Sequence, residues 1–227
     1  MRGTNLKIAL ALIVALASIP NAWASSVQRY NRDIKVPTQA MMEHQAWATP
    51  VIAVTNNLKN AASLTTGQAN TISTFLLSGT PDYPRNITIT TGGTTANVGA
   101  CTAVVTGTNF FDQVKTENFT ITSTQNGTTT GSKAFKTVTS VLFPSACTTG
   151  SGVTMSIGVG NKLGMKRCTD MAGKYVFSIF NSAYETTRGT MVGTTAAVES
   201  NTFAPNGTMD GTKQVDLYFI QDFTCSP

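Results

Sequence analysis

The sequence predicts an all-β fold, an antiparallel β-sandwich or jelly-roll-like body, and three observations predict it. Threonine recurs along the whole chain. Short segments alternating apolar and polar residues return at intervals of about ten residues, with turn chemistry between them. No amphipathic helical period longer than about ten residues is found beyond the amino terminus, which argues against an α/β architecture.

Threonine matters because its β-branch suits an extended backbone, where the methyl packs and the hydroxyl meets water or a neighbouring strand. Charged residues make up 12% of the 227 residues, against a norm of about 25%, so uncharged polar side chains carry the solubility. The formal charge is +5. Removing Arg2 and Lys7 with a leader leaves 14 Lys and Arg against 11 Asp and Glu, or about +3. The cations cluster only at Lys162, Lys166 and Arg167, with no interleaved aromatic ladder. A nucleic-acid partner is therefore not expected.

Residues 1–24 read as a secretory signal: Arg2 and Lys7 form a basic start, residues 8–19 an uncharged apolar run, and Ala22-Trp23-Ala24 a small-x-small cleavage site. Twelve helical residues rise about 18 Å, short of a hydrocarbon core of about 30 Å, so a stable membrane anchor is not expected. Synthesis starting at Met41 or Met42 is the alternative to a cleaved leader. Residues 25–50, with Pro37 and Pro50 and little periodicity, read as an extended arm or short helix. Residues 51–227 form the body, either one β unit or two packed units at 51–165 and 166–227.

Within the body, Val51, Ile52 and Val54 and then Ile72, Phe75, Leu76 and Leu77 suit a first pair of strands. Residues 86–90 set Ile87 and Ile89 against Asn86, Thr88 and Thr90, the period of a half-buried strand. Residues 102–106, 114–122 and 134–143 repeat that pattern more loosely. Thr106-Gly107-Thr108-Asn109 and Gln125-Asn126-Gly127-Thr128 predict tight turns between them. Residues 153–159 are a further strand, ended by Gly158 and Gly160, residues 175–180 are a denser apolar strand, and residues 215–223 close the chain. Residues 181–212 predict a long hairpin with an exposed loop.

Cys101, Cys147, Cys168 and Cys225 give an even count in a chain with an export signal, which favours disulfides over metal ligation. No CxxC spacing occurs, and four cysteines allow three pairings. Cys101 with Cys147 and Cys168 with Cys225 is the favoured one, since each pair ties strand edges within one region. Four reduced thiols remain the alternative.

Little in the sequence carries catalysis. The one histidine, His44, lies in the arm between Glu43 and Gln45, and a catalytic histidine needs a carboxylate to hold it and a nucleophile beside it. One histidine cannot build a histidine-rich metal site, and the DxDxDG calcium pattern is absent. Glycoside hydrolysis needs only two carboxylates, with Asp112, Glu117, Glu185 and Asp216 as candidates. A spacing of five puts Asp112 and Glu117 on opposite faces of a regular strand. Asn86, Asn118, Asn126 and Asn206 head N-x-Thr acceptor patterns, which arise by chance in a threonine-rich chain. The run from Gly158 to Lys162 lacks the Gly-Lys-Ser/Thr of a phosphate loop. The expectation is a domain without enzymatic activity, metal or cofactor.

The phrases Pro84-Arg85-Asn86-Ile87-Thr88-Ile89, Val104-Val105-Thr106-Gly107-Thr108-Asn109 and Glu117-Asn118-Phe119-Thr120 are similar to phrases of tailed-bacteriophage virion proteins. So are the blocks beginning Gly131-Ser132-Lys133-Ala134-Phe135 and Gly158-Val159-Gly160-Asn161-Lys162. The likeness covers residues 81–165 and carries no catalytic signature. It implies a β-rich component of the particle, decorating the head or belonging to the tail, whose partners are other virion proteins and further copies in a symmetric array. A signal and cysteines are more than a particle assembled in a reducing cytoplasm requires. They motivate a second expectation, an exported bacterial surface or pilus-like adhesive domain, secreted or held at the cell surface.

Overall fold

The computed structural model describes residues 41–124, 126–170 and 174–221. The signal segment, residues 25–40 of the arm and Cys225 lie outside the described residues. The chain divides into a unit of residues 1–40 and a unit of residues 41–227, and the second is the one described below. It is all-β and antiparallel. Among the described residues the elements are strands and short 3-10 turns, with no α-helix.

Fourteen strands are described, numbered in chain order. One sheet is β3 (Asn70–Ile72), β8 (Thr137–Phe143), β5 (Cys101–Thr108) and β6 (Val114–Ile121), in that spatial order. A second runs β12 (Thr190–Val192), β13 (Thr202–Ala204), β9 (Val153–Gly164), β4 (Arg85–Gly93) and β7 (Thr128–Phe135), with β2 (Val54–Ser63) also paired to β9. These two sheets share one buried core: Ile87 and Ile89 of β4 and Met155 and Ile157 of β9 on one side, Val105 of β5, Phe119 of β6 and Val141 of β8 on the other. Inward residues alternating on two facing sheets make this a sandwich.

The third sheet is β1 (Met41–Trp47), β14 (Val215–Gln221), β10 (Tyr175–Phe180) and β11 (Ala183–Tyr184). Its inner face supplies Trp47, Tyr175, Val215, Leu217 and Phe219 to a second core, completed by Leu163, Met191 and Phe203. Trp47 and Tyr175 both stack on Phe203, with centroids 6.2 and 5.9 Å away. The last turn of β9 thus belongs to the second core and the rest of it to the first.

Several boundaries differ from the sequence reading. Residues 41–47, expected in the arm, are β1, paired with β14 over seven consecutive positions. Residues 51–53 are exposed and precede β2, and Leu76 and Leu77 lie on an exposed 3-10 turn, where Leu77 and Ser78 take φ of 51° and 52°. The strand expected at 86–90 exists, but its polar positions Asn86 and Thr88 are buried along with Ile87 and Ile89. The apolar stretch 134–143 is two strands, broken at Lys136, whose N–H donates to Thr108 O at 2.8 Å.

The turn expected at 106–109 falls instead at 109–113. Asn109 Oδ1 accepts from the N–H groups of Phe111 and Gln113 at 2.9 and 3.1 Å, while Thr106, Gly107 and Thr108 remain in β5. The glycines expected to end β9 lie inside it. A Cβ at Gly158 would sit 2.0 Å from Val54 O, and one at Gly160 would sit 2.4 Å from the Asn86 amide. They permit the close approach of β2 and of a buried side chain, which a strand interior tolerates for that purpose.

Candidate functional site

The outer face of the third sheet carries a row of rings. Register places His44 of β1 opposite Tyr218 of β14, and Tyr218 opposite Phe177 of β10. Residues of that parity point away from the second core. His44 and Tyr218 stack with centroids 4.4 Å apart and planes 13° from parallel. Tyr218 and Phe177 stack at 4.3 Å and 19°. Tyr184 of β11 closes the row at 6.1 Å from Phe177, tilted by 41°. Four rings therefore cross four strands, at close to the spacing of about 4.8 Å that hydrogen-bonded strands impose.

The row has an apolar surround. Met42, opposite Ile220, is 61% exposed and Tyr184 59%. Ile179 lies beside Tyr184 on the same face. Exposed aromatic and methionine side chains in contiguous rows are what protein interfaces use for their central contacts. The Asp216 carboxylate on this face is held by hydrogen bonds. Asp216 Oδ1 lies 2.8 Å from His44 Nε2, and both carboxylate oxygens accept from Gln214 Nε2 at 2.9 and 2.8 Å.

Of a serine–histidine–aspartate arrangement, the structure thus brings the histidine and an aspartate together, which the spacing of 172 residues hid. The other carboxylate candidates stay apart. Asp112, on the β5–β6 turn, pairs with Lys136 at 2.8 Å. Glu117 of β6 accepts from the Ser132 N–H and hydroxyl at 2.6 and 2.8 Å. Glu185 accepts from the Ser178 hydroxyl and, at 3.0 Å, from the Gly207 N–H. The buried Tyr175 hydroxyl, 2.5 Å from Ser178 Oγ, is raised above the ordinary phenol range by burial, with Ser178 opposing the shift.

Cys101 and Cys147 form a disulfide, with Cα atoms 5.1 Å apart. Cys168 is also disulfide-bonded; its expected partner, Cys225, lies outside the described residues. Among the N-x-Thr patterns, Asn86 is fully buried, donates to Gly131 O at 3.0 Å and accepts from Lys162 N–H at 2.9 Å. It is a brace between β7 and β9, while Asn118, Asn126 and Asn206 are exposed.

Two buried charges were not singled out in the sequence. Arg85 is fully buried; its Nη1 donates to Val51 O at 2.8 Å and pairs with Asp82 at 3.2 Å. Burial lowers its guanidinium pKa and Asp82 opposes the shift. Glu199 is buried between Lys115 and Lys133, at 3.7 and 4.0 Å. It ties the 198–200 turn to β6 and β7, a structural role for a segment that reads as loop.

A cleft of about 290 Å³ lies between Tyr83, Pro84, Phe110 and Lys136. Among the described residues no three His, Cys, Asp or Glu side chains gather as metal ligands, and no helix is long and apolar enough to cross a membrane. Comparison with protein-family models, with curated proteins and with solved structures finds no match to this chain.

Proposed function

We propose that the chain is a structural component of a viral particle, exposed on the virion surface and acting through protein–protein interfaces. The observation that carries the reading is the ring row of His44, Tyr218, Phe177 and Tyr184, set beside the exposed Met42 on one sheet face of a threonine-rich molecule. Such a row offers apolar contact area on a rigid sheet, which suits repeated modest contacts between particle subunits. The phrases that resemble virion proteins fall on β4, β5, β6, β7, β8 and β9, in the sandwich that would present the row.

A second reading, an exported surface or pilus-like adhesive domain, is favoured by the Cys101–Cys147 disulfide, a bond that persists in oxidising compartments. Mass spectrometry of gradient-purified particles from the source culture separates the two. The virion reading expects this chain at a fixed high copy number per particle. Its absence from particles, together with a secreted form beginning at Ser25, would overturn that reading in favour of the adhesive one.

A further inference from the structure

A sheet edge is a row of unpaired backbone donors and acceptors, and stable β proteins blunt their edges by shortening, bulging or covering them. Among the described strands all but one edge shows such a device. β3 and β12 have three residues each and β11 two. β2 is interrupted by two register shifts against β9. β6 and β7 face one another, joined by Thr129 Oγ1 to Thr120 O at 3.2 Å and by Lys133 Nζ to Thr116 O at 2.9 Å. β1 has none of these: seven residues in unbroken register with β14, no proline, no lysine and no bulge. No hydrogen bond among the described residues reaches its outer edge.

We propose that the occupant of this edge is a second copy of the chain, added antiparallel across a two-fold axis at His44. The inference deepens the structural reading above by naming the partner and the register. His44 is the middle residue of β1, so this is the register that pairs all seven positions. It sets Met42 opposite Ala46 of the partner subunit and Glu43 opposite Gln45 of the partner subunit. No carboxylate or ammonium then faces its like across the strands, and at the axis each imidazole keeps its own carboxylate at 2.8 Å. Glu43 likewise keeps Lys166 at 3.2 Å. Each carboxylate near the seam thus has a partner in its own copy, and the sheet continues from four strands to eight. The ring rows of the two copies meet end to end through the two imidazoles, a self-complementary contact of the kind a two-fold interface requires.

The register makes a sharp test. Residues facing each other across an antiparallel pair have Cα atoms about 4.5–5.5 Å apart, within disulfide reach. His44→Cys in the full chain is therefore expected to give a covalent dimer on non-reducing gels. Met42→Cys is expected to give none, because its own copy lies about 13 Å along the strand. His44→Lys puts two ammonium groups at the axis, and is expected to sediment as a monomer at concentrations where wild type is a dimer, while keeping the far-ultraviolet circular dichroism of the wild-type fold. Wild type that stays monomeric at high concentration would overturn the proposal. So would a wild-type dimer in which His44→Cys fails to cross-link, or in which Met42→Cys cross-links equally well. A monomer that is nonetheless found in purified particles would sink this inference and leave the virion reading standing.

Discussion

The two cores of this molecule are built on opposite plans. The sandwich core is enclosed: its long edge strands either meet, as β6 and β7 do, or are broken by bulges, as β2 is. The second core is covered by a sheet whose outer face is itself apolar and whose edge strand β1 is long and regular. Enclosure is what a scaffold needs; an apolar face on an unblunted sheet is what a partner needs. The function proposed above assigns stability to the first region and recognition to the second, and substitutions in each test that division.

The largest effect is expected in the sandwich. Phe135 is fully buried in its core, and Phe135→Ala is expected to cost about 3–5 kcal/mol through lost burial and the cavity left behind. Chemical denaturation should show a lower midpoint with an unchanged slope. Next is the bond that ties the start of β5 to the 145–147 turn. Cys101 and Cys147 are 46 residues apart in sequence, and replacing both with Ala is expected to cost about 2–4 kcal/mol by the chain-entropy account. A melting temperature unmoved by that double substitution would mean that the bridge adds nothing to the fold.

On the ring row the effect on stability should be small. Tyr218→Ser removes two stacking contacts, each worth about 0.5–1.5 kcal/mol, from the outer face of the sheet. If it unfolds the protein as readily as Phe135→Ala does, the row is core and the comparison fails. The smallest effect is one of pH. The folded Tyr175 hydroxyl has a pKa above its unfolded value of 10.0, so its contribution is complete below that value and is lost as the pH rises through the folded one. Tyr175→Phe is expected to flatten the loss of stability above about pH 10, measured as denaturation midpoint against pH.

The same division governs what the sequence made legible. Sandwich strands such as β5 and β6 pack one face on a core and leave the other to solvent, so alternation marked them out. β4 also alternates, yet its threonines Thr88 and Thr91 are buried with its isoleucines, and alternation of Thr with Ile does not distinguish water from a neighbouring element. β9 ran past its glycines because their missing side chains make room for β2 and Asn86, a reason visible only in three dimensions. At the candidate site, β14 is legible as a closing strand, but its rings point both ways, Phe219 inward and Tyr218 outward, and only strand pairing reveals which ring joins the row. The aromatic residue at each parity was the available signal. β1 was obscured by its place beside Pro50 and by its mixed polarity, and His44 and Asp216 meet only through strand pairing.

The central claim is that the ring row, and not the sandwich, makes the contacts by which this protein works. The direct test is to produce particles with Phe177→Ser/Tyr218→Ser in place of the wild-type chain and to measure copy number per particle by quantitative mass spectrometry, alongside the melt of the purified variant. A folded variant whose copy number falls at least tenfold is the result this account predicts. Wild-type copy number in a variant without the row would contradict it.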